Sequence, residues 1–241
     1  MKKNLLLILM FLPVISLLAQ KSIYNDPNAK VRKLSGSFQA IKVSNAIDVY
    51  LSQGEEEAIA VSAINEEQRN RIKLAVEEGV LKIWFDNKDN WWKNNGNRKL
   101  KVYVSFKNLT KLTASGACDV KTNGGIKLNE LELNFSGASD FDGEITANEL
   151  KVDISGASDV KIKKGKVTNL KVRASGASEF TGYDLIADNC TADASGASDI
   201  KITVNIELNA RASGASGIYY KGDGKIRDLK SNGASTVSRR S

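Results

Sequence analysis

One six-residue motif, written over and over, constrains this chain more than any other feature. Ser155-Gly156-Ala157-Ser158-Asp159-Val160 has close copies beginning at Ser115, Ser136, Ser175, Ser195 and Ser213, and a worn copy beginning at Asn232. The central glycines fall at 116, 137, 156, 176, 196, 214 and 233, giving steps of 21, 19, 20, 20, 18 and 19 residues. A period near twenty is too short for a propeller blade and suits a solenoid in which each repeat makes one turn.

Counted from each glycine, even offsets are apolar or small and odd offsets are polar. Offset −6 reads Leu131, Leu150, Leu170, Cys190 and Leu208, and offset +4 reads Val120, Phe141, Val160, Phe180, Ile200 and Ile218. A two-residue alternation carried through the glycine marks strands bending at a small-residue corner. The fold expected is all-β, a parallel β-helix of about seven turns of ~20 residues with an irregular N-terminal β cap. The +2 serines (Ser139, Ser158, Ser178, Ser198 and Ser216) face inward and are expected to form a hydroxyl ladder along the axis, each satisfying its neighbour.

The boundaries follow from composition. Residues 1–19 read as a signal peptide: Lys2 and Lys3 precede an apolar run from Leu5 to Leu18 that is short for a membrane span. Its removal would take the formal charge from +7 to +5, the two lysines being lost. Residues 20–35 read as a linker, 36–108 as the cap, 109–237 as the repeats and 238–241 as a tail. Within the cap, Ile72, Leu74 and Val76 and then Leu81, Ile83 and Phe85 flank Glu78-Gly79 and predict a hairpin.

Histidine is absent, which removes the commonest general base and the commonest metal ligand. Cys118 at +2 and Cys190 at −6 occupy different corners about four turns apart, and at ~4.8 Å per turn they are out of disulfide reach. Two free, buried thiols are expected. The mild, interspersed basic balance carries no arginine-rich stripe or stacking platform for nucleic acid.

Two sets of residues are candidates for function. The polar segment from Asp86 to Arg98 holds Trp91, Trp92, Asn94 and Asn95. Adjacent tryptophans on a strand point to opposite sides, so this pair suits either an exposed platform that stacks on sugars or anchors a protein partner, or one ring that covers the hairpin below while the other is half exposed. The second set is the +3 column of Asp119, Asp140, Asp159, Glu179 and Asp199. Neighbouring turns would bring its carboxylates about as close as those of a retaining glycosidase. Every repeat carries one, however, so nothing marks a catalytic pair. Lys121, Lys161 and Lys201 at +5, and the −3 column of Asn134, Asp153, Arg173, Asp193 and Arg211, favour charge neutralisation between turns. The glycine-rich nonapeptide of calcium-binding β-rolls is missing. No catalytic residue, metal site or cofactor is assigned.

The segment Phe38 to Gly54, the turn Glu78-Gly79-Val80-Leu81-Lys82-Ile83 and the Ser-Gly-Ala-Ser-Asp repeats together resemble the head GIN domain family, described as autotransporter adhesin heads in exported Gram-negative proteins. The resemblance implies a β-solenoid at the periplasm or outer cell surface without enzymatic activity. The function expected is a non-enzymatic binding or adhesion module for a glycan or cell-surface protein. A carbohydrate-active enzyme, lyase or hydrolase, using the carboxylate column is the first alternative. A purely structural spacer is the second.

Overall fold

The computed structural model describes residues 25–87 and 99–241. The elements in chain order are β1 (Lys30–Arg32), β2 (Ala40–Ser44), β3 (Asp48–Gln53), β4 (Ala58–Ser62), α1 (Glu66–Arg71), β5 (Ile72–Glu77), β6 (Val80–Phe85), β7 (Lys101–Phe106) and β8 (Lys111–Gly116). The repeats supply the long, bent strands β9 (Asp119–Gly137), β10 (Asp140–Ile154), β11 (Asp159–Ala174), β12 (Glu179–Ala194) and β13 (Asp199–Gly214). The shorter β14 (Gly217–Lys221), β15 (Lys225–Gly233) and β16 (Thr236–Arg239) complete the chain.

The protein is a parallel β-helix. Strands β9 to β13 pair in parallel, each with the next, and like offsets stack. Leu131, Leu150, Leu170, Cys190 and Leu208 share one row, and Phe141, Val160, Phe180, Ile200 and Ile218 another. Both rows are buried. The two-residue alternation thus becomes a core, because successive side chains on a strand point to opposite faces.

Glycine is required at the corner. The repeat glycines have φ between +74° and +93°, a region costly for residues with a Cβ. The amide of Ala157 donates to the Gly137 carbonyl at 2.8 Å, and those of Ala177, Ala197 and Ala215 repeat the bond one turn on. The corner is therefore hydrogen-bonded along the axis like the strands themselves.

The +2 serines are buried as expected, but they form no ladder of hydroxyls. Ser139 Oγ accepts from the Cys118 amide at 3.2 Å, and Ser158 Oγ from the Ser139 amide at 3.1 Å. Ser178, Ser198 and Ser216 donate to the carbonyls of Ser175, Ser195 and Ser213 at 2.8–2.9 Å. These hydroxyls add to the bonding of the corner: Ser139 and Ser158 bond the turn before, and Ser178, Ser198 and Ser216 bond the carbonyl three residues back in their own turn.

A second packing rule couples offsets +4 and +6. Where +4 is phenylalanine, +6 is glycine (Phe141 with Gly143, Phe180 with Gly182); where +4 is Val160 or Ile200, +6 is Ile162 or Ile202. A Cβ on Gly182 would stand 2.6 Å from Phe180 Cε1, and one on Gly143 3.0 Å from Phe141 Cζ. The ring lies over the space that Ile162 and Ile202 fill in their turns, while Thr122 and Tyr220 stand at +6 beside Val120 and Ile218.

The cap is more regular than its sequence implies. β2 and β3 form a turn of the same coil, parallel to β8 and β9, with Ser44 opposite Ser115 and Val49 opposite Val120. Ser44-Asn45-Ala46-Ile47-Asp48-Val49 is thus a disguised repeat, with Asn45 at φ +70° in the glycine position, a conformation asparagine tolerates. β6 and β7 pair in parallel with β2 and β3 from the other side. Beyond them β4 and β5 run antiparallel to β7 and β6, and β1, within the stretch read as a linker, runs antiparallel to β4. The predicted hairpin joins β5 to β6 through Glu78 and Gly79, both at positive φ, as a type I′ turn demands. Asn65 caps the short helix α1, its side chain accepting from the Gln68 amide at 2.9 Å. The two cysteines are free and buried.

Candidate binding surface

The outward +3 column is assembled by strand register. Asp140 lies opposite Asp119, Asp159 opposite Glu179, and Glu179 opposite Asp199. The Asp159 amide donates to Asp140 Oδ1 at 3.1 Å, which joins the two runs. The disguised repeat adds Asp48 at the N-terminal end, one turn before Asp119. Sequence reading missed it because Asn45 stands where the other copies have glycine; the signal was the Ser-x-Ala-x-Asp-Val frame itself.

These acids do not share one environment. Burial, then the neighbouring Asp140 and Glu179 carboxylates, push Asp159 above its ordinary value. Burial and then Asp119 do the same to Asp48. Burial also acts upward on Glu179, but hydrogen bonds from Thr181 and Lys201 outweigh it and hold that carboxyl below its ordinary value. Lys201 Nζ sits 2.9 Å from Glu179 Oε1, one turn away. Of the three +5 lysines expected beside the acids, Lys201 makes this contact, whereas Lys121 and Lys161 form no ion pair within 4 Å among the described residues. Among the described residues no group of three or more His, Cys, Asp or Glu side chains is placed to hold a metal ion.

The alternating signs of the −3 column pair at Arg173 but not at Arg211, whose register neighbour one turn on is Lys230 and whose partner Asp228 lies two residues outside the column. Arg173 lies between Asp153 at 3.7 Å and Asp193 at 3.9 Å, and Arg211 reaches Asp228 at 3.0 Å. This column forms one wall of a groove of about 640 Å³ running along the coil axis, and the −1 row, including Ser155, Ser175 and Ser195, forms the other. Serine is short, so each turn leaves a depression beside the longer −3 side chain. The floor is backbone over the inward −2 residues, which makes it largely apolar. The groove is visible only once the columns stand side by side.

Trp91, Trp92, Asn94 and Asn95 lie outside the described residues. Their segment joins β6 to β7. The Asp48 amide donates to the Leu100 carbonyl at 2.9 Å, so the far end of the segment meets the coil beside the first acid of the column.

A family model described as "Putative auto-transporter adhesin, head GIN domain" matches residues 37–224. The chain belongs to the head GIN domain family. Solved structures with the same fold include a "putative adhesin" from Bacteroides fragilis, with 21% identity, a TM-score of 0.79, and coverage of 88% of this chain and 96% of that one. A "putative lipid binding protein" from Parabacteroides distasonis has 20% identity and a TM-score of 0.67, covering 90% and 98% of the two chains. A "putative adhesin" from Parabacteroides merdae has 19% identity and a TM-score of 0.65, again covering 90% and 98%. Comparison with curated proteins returns no match. The head GIN domain of this chain thus shares a β-solenoid with relatives named as adhesins.

Proposed function

We propose that this head GIN protein is a non-enzymatic, exported adhesin-type module that holds a glycan chain along the outside of its coil. The groove between the −3 and −1 columns carries the reading. It presents a serine hydroxyl on every turn, at the ~4.8 Å strand spacing, faced across an apolar floor by carboxylates (Asp153, Asp193) that alternate with guanidinium groups (Arg173, Arg211). A β-linked pyranose unit is about that long and offers ring hydroxyls at its edges and C–H groups at its face. One sugar per turn would meet the same serine at each step and the same charged group at every second step, whereas an extended peptide, at ~3.3 Å per residue, falls out of step. Membership of an adhesin-named family supports the non-enzymatic part, and the leader-like segment at residues 1–19 supports export. A glycan array probed with the full chain tests the proposal. Binding of linear glycans, lost in Arg173→Ala with Ser175→Val, is expected. Binding lost only in Trp91→Ala with Trp92→Ala would move the site to the β6–β7 segment. Retention of cell-surface protein but no glycan would replace the ligand class.

One observation favours a second reading. Asp159 is pushed up and Glu179 held down on adjacent turns, and neighbouring carboxyls with separated titrations are how glycosidases divide acid from nucleophile. Both stand on an open sheet face, with Glu179 bound to Lys201 and Thr181, so the binding reading takes precedence. Release of reducing sugar by the parent chain, abolished in Asp159→Asn or Glu179→Gln, would reverse that order.

A further inference from the structure

The C-terminal end of the face next to the groove gathers two tyrosines and three cations from four different turns. Lys201 at offset +5, Tyr183 and Lys221 at +7, and Tyr219 at +5 are all half-buried, and Arg240 projects from the last turn. Lys221 Nζ sits 5.1 Å from the centre of the Tyr183 ring, and Arg240 Cζ 4.5 Å from that of Tyr219. The ladder pairs Tyr220 with Arg239, which sets Lys221 and Arg240 side by side on adjacent turns, about 5 Å apart at the backbone.

Among the described residues, unpaired lysines such as Lys121 and Lys161 occur elsewhere on the coil, but here two unpaired cations on adjacent turns each sit on a tyrosine ring. Lys201 is bound to Glu179, Arg239 to Asp223 and Arg227 to Glu207. Lys221 and Arg240 have no carboxylate within 4 Å among the described residues. Like charges facing each other across a ladder destabilise it, and among the described residues each of these cations sits on a tyrosine ring with no carboxylate within 4 Å. The rings fix the cations in place and leave the remaining N–H donors free. A recess of about 510 Å³ beside them is lined by Lys221, Gly222, Asp223, Arg239, Arg240 and Ser241.

We infer that Lys221 and Arg240, held on Tyr183 and Tyr219, form a recognition site for the acidic group of a charged glycan, a carboxylate or sulfate ester bridging the two cations. The bridging anion removes the repulsion between the turns and accepts from both donors, a charge-assisted arrangement stronger than neutral hydrogen bonds. The exposed edges of the tyrosine rings offer contact to the sugar that carries it. This step rests on the glycan-binding reading above and adds to it a charge preference at a second location on the coil.

The test compares the full chain with Lys221→Gln/Arg240→Gln and with Tyr219→Phe against three immobilised polymers: polygalacturonate, chondroitin sulfate and neutral dextran. Preference for one acidic polymer over the other tells carboxylate from sulfate recognition. The inference expects acidic chains to bind at least about tenfold more tightly than dextran at low salt, the worth of one or two charge-assisted bonds. It expects the double variant to lose that preference, rising salt to erode it, and Tyr219→Phe, which keeps the ring, to retain it. Thermal melts establish that the variants remain folded. Equal binding of acidic and neutral polymers, or an acidic preference that survives the double substitution, overturns the inference and leaves the glycan-binding reading standing. Binding to none of the polymers, or only to vesicles of phosphatidylglycerol, overturns both.

Discussion

The carbonyl oxygen of Gly137 stands 2.5 Å from the point where a Cβ on Gly156 would lie. The same relationship recurs at 2.7 Å between Gly156 and Gly176, and at 2.8 Å between Gly176 and Gly196. Each corner glycine is fixed twice, once by its positive φ and once by the backbone of the turn below. Gly176→Ala should therefore destabilise by more than the ~1–2 kcal/mol charged for a left-handed alanine alone, since backbone must also move. Asn45→Gly, at the corner already occupied by a side chain, should be neutral or mildly stabilising. Urea titrations of the two variants check the contrast; equal effects would mean that the corners do not bear on one another.

Glu132 and Asp159 should respond to pH with opposite signs. A hydrogen bond from Asn134, then contacts with Lys111 and Lys151 acting against burial, hold Glu132 down at about 2. A depressed carboxyl stabilises the fold above its unfolded value of ~4.3 and loses that contribution as pH falls toward 2. Glu132→Gln should therefore weaken the protein at pH 7, by about 1 kcal/mol or less given its partial exposure, and converge with the parent in strong acid. Asp159 is raised, so its ionisation costs stability above the raised value, and the cost vanishes as pH falls below the unfolded value of ~3.9. Asp159→Asn should strengthen the protein at pH 7 by well under about 1 kcal/mol, with the gain shrinking toward pH 4. Thermal melts from pH 2 to 7 give both signs.

The repeats were legible because each apolar row is written five to seven times, so the noise at any one position averages out. The register that stacks Leu150 on Leu170, and the inward turn of Ser158, follow from that spacing directly. What the sequence concealed was what depends on a single copy or on two columns side by side. Asn45 hides the first repeat because asparagine enters the left-handed region without glycine's signature. β2 finds β8 across five intervening strands, a contact between distant segments that no local pattern encodes. The groove needs the short −1 serines beside the long −3 side chains, and the Lys221–Arg240 pair needs two turns and two tyrosines at once.

Both thiols should be silent in the folded protein. Burial pushes Cys118 above its ordinary value despite backbone hydrogen bonds that act the other way, and burial pushes Cys190 higher still. The thiolate is the reactive form, so iodoacetamide at pH 8 should leave the native chain unlabelled and add two groups after denaturation. A labelled native chain would show that the Ser115–Cys118 corner opens. A mass two units low after denaturation without reductant would show a disulfide that the row positions forbid.

The pairing of Phe180 with Gly182 makes the sharpest test of the packing. Phe180→Val alone removes a fully buried ring and should cost about 3 kcal/mol, near the lower end for large-to-small core changes. Gly182→Ile alone drives a side chain into the ring, whose Cε1 is 2.6 Å from the new Cβ, and overpacking of this kind costs about 1–3 kcal/mol. Together the two substitutions reproduce the arrangement at Val160 with Ile162, so the isoleucine should fill the space the ring vacates. The double variant should be more stable than either single one, with a coupling of about 1–3 kcal/mol between adjacent sites. Guanidinium unfolding of the four proteins in the cycle measures it. Additive losses would mean that the turns are not interchangeable packing units, and that the match between offsets +4 and +6 is coincidence.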